Sequence, residues 1–168
     1  MENIIETERL ILRKFIVNDA AFILELLNSE GWLRYIGDRN VKTQEDAENY
    51  ITNKFLPGYA INGFGMYLVQ LKSDLTPIGT CGLIKRDSLE DIDIGFAFLP
   101  DYMRKGYAFE AAQATMQYAV HTLKIDRLLA ITTPDNVASI KLVEKIGLHF
   151  VEKILFEGKE ELFLFANK

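Results

Sequence analysis

Leucines alternate with other residues at the start of the chain. In Thr7–Arg13, Leu10 and Leu12 fall on one side and Arg9, Ile11 and Arg13 on the other, the period of a half-buried strand. The period then changes. Asn18 and Asp19 cap a helix over Ala20–Asn28 whose Phe22, Ile23, Leu26 and Leu27 share a face. Residues 31–41, with Trp32 and Tyr35, keep no period and read as irregular. Thr43, with Asp46 three residues on, opens a second helix striped by Ala47, Tyr50, Ile51 and Phe55, and Pro57-Gly58 is expected to stop it. Gly65–Leu71 and Ile78–Ile84 form an antiparallel hairpin around Lys72–Pro77. Gly79 and Gly82 inside its second strand suggest a bulge or a close backbone approach.

Ile92–Leu99 is an apolar run short enough, and rich enough in Phe and Ile, to be a buried strand, and Pro100 ends it. After Asp101–Gly106 a helix begins at Tyr107 and runs to about Leu123, with Ala108, Ala111, Ala112, Thr115 and Ala119 allowing close packing on a sheet. Arg127–Thr132 is placed to lie parallel to the Ile92–Leu99 strand across a right-handed crossover. A turn at Pro134–Asn136 leads to a helix over Val137–Ile146 ended by Gly147. Phe150–Phe156 and Glu160–Ala166 close the chain as a hairpin around Gly158-Lys159. The order β, α, α, β, β, β, α, β, α, β, β predicts an α/β fold: one domain over residues 1–168, with a mixed sheet of about seven strands and helices on both faces.

Composition narrows the function. The chain has 168 residues, 49% hydrophobic and 26% charged, with a net charge of −5, so general nucleic-acid binding is disfavoured. Cys81 is the only cysteine, so no internal disulfide forms. It sits in an apolar run, as a buried inert thiol does. The first residues lack the order of a signal peptide, and no apolar run reaches the length of a membrane span, which points to the cytoplasm. His121 and His149 stand alone and give no metal-ligand spacing.

The chemistry concentrates where the Ile92–Leu99 strand passes through a cationic, glycine-containing loop into a helix. Free N–H groups and the positive end of the dipole meet there, Gly106 permits close approach, and Arg104 and Lys105 add charge: a place to hold a phosphate group. It is neither a nucleotide P-loop nor a dinucleotide fingerprint, since Gly-Lys-Ser/Thr and Gly-x-Gly-x-x-Gly are both absent.

Met103-Arg-Lys-Gly106-Tyr-Ala108 resembles the acyl-CoA loop, Arg/Gln-x-x-Gly-x-Gly/Ala, of the GCN5-related N-acetyltransferase (GNAT) superfamily; Gly106 and Ala108 match, and Met103 departs from the first position. Asp93-Ile-Gly-Phe96 resembles the family's Glu-Ile-Gly-Tyr, and the run from Asn136 through Ser139 to Glu144-Lys145-Ile-Gly147 resembles its Asn-x-x-Ser/Ala and Glu-Lys-x-Gly-Phe segment. Thr7-Glu-Arg-Leu-Ile-Leu-Arg13 is similar to the opening of one branch, the ribosomal-protein N-acetyltransferases of the RimJ/RimL type, a branch whose substrates spread beyond ribosomal proteins. The resemblance implies a GNAT fold and acetyl transfer from acetyl-CoA to a primary amine, carried by a protein N-terminus or a small molecule. It implies that Met103, Arg104, Lys105, Gly106, Tyr107 and Ala108 hold the pyrophosphate. Phe98 and Leu99 offer backbone contacts to the acyl carbonyl and pantetheine, and Asn136 bonds the pantetheine region.

An amine is protonated at neutral pH, so a base must take a proton before attack. Asp93 is the candidate, directly or through a water. It interrupts an apolar strand, where an unpaired charge is costly, and it is otherwise a strand carboxylate facing solvent or satisfied by a neighbouring arginine. The resemblance implies Ser139 as proton donor to the leaving thiolate. Val143 stands where many relatives have the tyrosine that fills this role. No metal or membrane is called for, and the closing hairpin leaves room for a homodimer. Two other readings stay open: an acyl-CoA-binding module of the same fold without turnover, and an interaction domain without a CoA site.

Overall fold

The computed structural model describes residues 1–168. Its sheet is organised around β5 (Ile92–Phe98), the apolar run picked out by the sequence. β5 pairs antiparallel along its whole length with β4 (Pro77–Ile84), which pairs with β3 (Met66–Leu71), then β2 (Leu10–Lys14) and β1 (Asn3–Glu6). On its other side β5 meets β6 (Leu128–Thr132) in parallel, and the sheet continues through β8 (Glu160–Ala166) to β7 (His149–Phe156). Eight strands thus run in the order β1-β2-β3-β4-β5-β6-β8-β7, one more than the sequence pattern predicts. The extra strand is β1. The expected strand from Thr7 begins only at Leu10, because Leu10 N–H donates to Thr7 Oγ1 at 3.0 Å and Thr7 N–H donates to Leu10 O at 3.0 Å, making Thr7–Arg9 a turn.

Helices cover both faces. On one side lie α1 (Ala20–Leu27), α2 (Glu30–Tyr35) and α3 (Gln44–Tyr50), burying Phe22, Ile23, Leu26, Trp32 and Ala47 against Phe15 and Leu68. Thr43 caps α3, its hydroxyl accepting from Asp46 N–H while the Asp46 carboxylate accepts from Thr43 N–H. Pro57 does not end this helix. The chain widens into a π-helical turn at Ile51–Phe55 and continues as α4 (Leu56–Asn62), with Pro57 in the first turn, where a missing N–H costs nothing. Gly63, at φ 76°, ends α4 instead. The stretch expected to be irregular contains α2.

On the opposite face lie α5 (Tyr107–Gln117), which widens into a further π-helical turn over Tyr118–Thr122, and α6 (Val137–Lys145). Ala111, Ala112 and Ala119 are fully buried, so α5 sits close over Leu83 and Ile94. The glycines of β4 also permit close approach. A Cβ on Gly82 would lie 2.3 Å from Gly65 O, and one on Gly79 2.5 Å from Phe98 Cδ1. The register between β3 and β4 shifts between Val69 and Gln70, beside Gly79. No helix is long and apolar enough to cross a membrane.

Candidate active site

The parallel pairing of β5 with β6 covers only Ile92–Leu128 and Asp93–Leu129, and beyond Asp93 the strands separate. Leu99 N–H donates to Ile78 O at 2.9 Å, toward β4. Backbone groups alternate sides along a strand, so those of Phe96 and Phe98 point away from β4, into the opening. This corrects the expectation for Leu99. Its N–H is committed to Ile78 and its carbonyl accepts from Tyr102 N–H at 3.0 Å. The Phe98 groups face the opening, and those of Phe96 do so as well. On the other side of the opening β6 ends at Thr132; the buried hydroxyls of Thr132 and Thr133 have no hydrogen-bond partner in the protein.

The glycine loop lies at the mouth of this gap. Pro100–Tyr102 makes one tight turn, Arg104 takes φ 60° and Gly106 φ 82°, and α5 begins at Tyr107. No side chain caps the helix. None of the backbone N–H groups from Arg104 to Phe109 has an acceptor in the protein. Met103, Arg104 and Lys105 are exposed, and Tyr107 and Ala108 are half-buried in the first turn. Donors converge here with two cations beside them, an arrangement that binds an anion.

Two residues of the opening turn reach this loop, which sequence reasoning missed. Glu110, in the first turn of α5, accepts from Thr7 Oγ1 at 2.6 Å, from Arg9 N–H at 2.9 Å and from Arg9 Nε at 2.7 Å. Burial works against its charge, yet these bonds hold the carboxyl below its ordinary range. α2 also leans over the mouth: a Cβ on Gly31 would lie 3.5 Å from Met103 Cε, and Arg34 Nη2 is 3.9 Å from Asp135 Oδ2.

At the closed end of the gap is Asp93, 1% exposed. Five residues separate it from Phe98, about 16 Å along a strand. Arg86 Nε donates to Asp93 Oδ1 at 2.8 Å. Burial pushes the Asp93 carboxyl above its ordinary value, and the Arg86 charge and hydrogen bond oppose that rise. The arginine-satisfied carboxylate and the candidate base are therefore the same group. Asn136 Oδ1 caps α6 by accepting from Ser139 N–H at 3.2 Å, while Asn136 Nδ2 and Ser139 Oγ bond nothing in the protein. Asn136 and Ser139 thus stand at the mouth, beyond the end of β6, and Asp93 at the closed end. Val143 is buried in the core.

The aromatic residues expected near an acceptor divide. Tyr59 is structural, its hydroxyl accepting from Phe15 N–H at 3.1 Å and donating to Met66 O. Trp32 is buried under α1–α3 with its Nε1 unpartnered, and Tyr35 is half-buried under Arg34. No three His, Cys, Asp or Glu side chains are grouped to hold a metal ion.

The family model described as an acetyltransferase (GNAT) domain matches residues 9–149. The chain is 31% identical over 159 residues to an uncharacterized N-acetyltransferase, YnaD, of Bacillus subtilis, covering 93% of this chain and 90% of that one. Among solved structures, an acetyltransferase (GNAT family) from Bacillus anthracis superposes with a TM-score of 0.79 at 29% identity, covering 96% of each chain. The RimL ribosomal L7/L12 alpha-N-protein acetyltransferase, in complex with coenzyme A, superposes with a TM-score of 0.83 at 17% identity, over 98% of this chain and 97% of that one.

Proposed function

Since the chain is an acetyltransferase of the GNAT family, we propose that it moves an acetyl group from acetyl-CoA to a primary amine. The observation that carries this is the gap between β5 and β6, lined by unpaired strand groups and opening onto an uncapped, cation-flanked helix start. Acetyl-CoA supplies an acyl group activated as a thioester, on an extended arm that ends in a pyrophosphate. The residues present fit such a molecule. The free N–H groups of Arg104–Phe109, with Arg104 and Lys105, hold the pyrophosphate. Phe96 and Phe98 present N–H and C=O groups along one side of the gap, as a strand does to a neighbour. Asn136, at the start of α6 beyond the end of β6, offers its free Nδ2 on the other.

Catalysis then needs two proton movements. Asp93 accepts the proton of the acceptor amine, directly or across one water, since burial makes its carboxylate more basic than an ordinary aspartate. Ser139 Oγ, free of protein partners but nearer the mouth, serves as proton donor to the departing sulfur only across intervening water. The acyl oxygen lies deeper than Phe98, toward Asp93, where the Phe96 N–H stabilises its growing charge and Phe98 contacts the arm. The acceptor is a protein N-terminus or, equally, a small amine. Residues 1–168 are read as one catalytic domain working in the cytoplasm. The single reduced cysteine and the absence of a spanning helix fit that place.

Calorimetric titration of the native chain with acetyl-CoA and then CoA tests the cofactor, repeated on Gly106→Glu. Glutamate there brings a negative charge to the loop and a side chain to a φ of 82°. Saturable binding abolished by the substitution is expected. A folded native chain that binds neither ligand refutes acetyl transfer. Release of free thiol from acetyl-CoA, followed with peptides and small amines, then identifies the acceptor.

A further inference from the structure

The opening turn completes the cofactor loop from ninety-six residues away. Arg9 makes four contacts there. Its backbone N–H and its Nε both reach the Glu110 carboxylate, at 2.9 and 2.7 Å. Its Nη1 donates to Lys105 O at 3.0 Å, and its guanidinium lies 4.4 Å from the centre of the Tyr107 ring. Nη2 alone bonds nothing in the protein, and it lies beside Gly106, 3.2 Å from where a Cβ would stand.

These contacts fix the loop on both sides of Gly106, at the Lys105 carbonyl and at the Tyr107 ring. They also answer an electrostatic problem. A carboxylate in the first turn of a helix favours the dipole but repels an anion bound at the same helix end. Glu110 is that carboxylate, on the turn whose free N–H groups face the ligand. With Arg9 across it, the pair is neutral and the loop amides and cations act unopposed.

We propose that Arg9 is a positioning residue for acetyl-CoA: it masks Glu110 and sets the Lys105–Tyr107 backbone, so the pyrophosphate affinity of the enzyme depends on the turn before β2. This rests on the reading of the loop as the pyrophosphate site. It goes beyond that reading by assigning Arg9 and Glu110 as a coupled pair whose effect is confined to the phosphate end of the donor.

The test measures dissociation constants by calorimetry for acetyl-CoA and for S-acetylpantetheine, which lacks the pyrophosphate. The proteins are the native chain, Arg9→Gln, Glu110→Gln and the double variant, each checked for folding by thermal melting. Arg9→Gln is expected to weaken acetyl-CoA about tenfold, the effect of one charge-assisted contact, and to leave S-acetylpantetheine unchanged. In the double variant most of the lost affinity is restored, because the unmasked carboxylate is gone. An equal loss for both donors assigns Arg9 a general structural role and overturns the proposal. No loss, or a double variant no better than Arg9→Gln, overturns it as well. Should Arg9→Gln not fold, Arg9→Lys keeps the charge and loses the fork, and a smaller loss limited to acetyl-CoA is expected. A native chain that fails to bind acetyl-CoA refutes the loop assignment itself, an outcome separate from a variant without effect.

Discussion

Asp93→Asn separates the two roles that the closed end of the gap allows. The amide is nearly isosteric, keeps an oxygen for Arg86 Nε to donate to, and cannot take a proton. Asp93 is 1% exposed, whereas the Arg86 side chain is 29% exposed and can turn to water when its partner loses charge. Since the amide stands in for the neutral acid that burial favours, the change in stability is expected to be under about 1 kcal/mol, well below the 3–5 kcal/mol of a fully buried broken pair. Loss of a general base, by contrast, lowers kcat/KM by about 10²–10⁴-fold. Urea unfolding and a kcat/KM profile against pH, on the same protein, resolve the two. The sign of the pH dependence follows from burial, the dominant cause, which raises the folded carboxyl. Protonated Asp93 cannot serve as base, so activity falls on the acid side. Arg86→Gln removes the group that opposes the rise, so its acid limb moves to higher pH. The acceptor amine adds an acid limb common to every variant, and ratios to the native profile cancel it. In stability the raised value works the other way. The contribution of Asp93 is complete below the ordinary carboxylate range and is lost as pH climbs through the raised value. Native chain and Asp93→Asn should therefore differ least favourably for the native chain above that window. Unchanged kcat/KM in a folded Asp93→Asn, or an Arg86→Gln limb that moves to lower pH, would remove Asp93 from the mechanism.

Other sites give sharper structural tests. Gly79→Ala puts a methyl 2.5 Å from the Phe98 ring and 2.6 Å from Ala97 O; it should cost about 1–3 kcal/mol by overpacking and raise KM for acetyl-CoA, because β5 must move away from its place along the gap. Asp19→Ala strips Arg13 of a two-pronged partner at 2.8 Å on both prongs, with both side chains buried. Urea midpoints should report a loss of about 3–5 kcal/mol, with KM for acetyl-CoA unchanged in the protein that remains folded. Cys81 is fully buried against Thr115, and burial pushes its thiol up to about 12. A disulfide reagent at neutral pH should leave it unmodified in the native chain and modify it promptly in denaturant, and fast native labelling would contradict the packing of α5 on β4.

The pattern of polar and apolar residues carried the scaffold because each element there is set by local chemistry. Ile92–Leu99 is too short and too rich in β-formers for a helix, Pro100 stops it, and Gly106 opens the helix that follows. Local signals also misled. Pro57 reads as a stop, yet a proline in the first turn of α4 is tolerated once the preceding turn widens. The gap itself was not legible, because the length of β5–β6 pairing depends on how two strands separated by a helix settle in space. Neither was the phase of the free backbone groups. Whether Leu99 or Phe98 faces the opening follows from the bond between Leu99 and Ile78, a matter of register with β4. Arg86 had a weak signal, a cation just beyond the strand that lies across from Asp93. Arg9 and Glu110 had none, since 101 residues separate them.

Both helices that follow the diverging strands start at the same edge of the sheet, so their dipoles converge on one mouth, yet only one of them is open to an anion. At α6 the Asn136 side chain accepts the Ser139 N–H, leaving a neutral amide and a hydroxyl to face a ligand. At α5 no side chain accepts, the N–H groups from Arg104 to Phe109 are free, and Arg9 cancels the only carboxylate of the first turn. Charge is thereby sorted along the gap: free N–H groups and cations at α5, neutral polar groups at α6, and a titratable carboxylate buried about 16 Å deeper along β5. A buried strand edge with unpaired N–H and C=O groups is a liability unless something extended covers it. An occupant that satisfies all three regions at once must be long, thin, bonded along one side like a strand, anionic at the outer end and reactive at the inner one. A nucleotide alone meets the first region and none of the others, so ADP should bind the loop weakly and pantetheine the gap weakly. Joined in one molecule, the two should bind far more tightly than either, because the second contact forms within a complex already made.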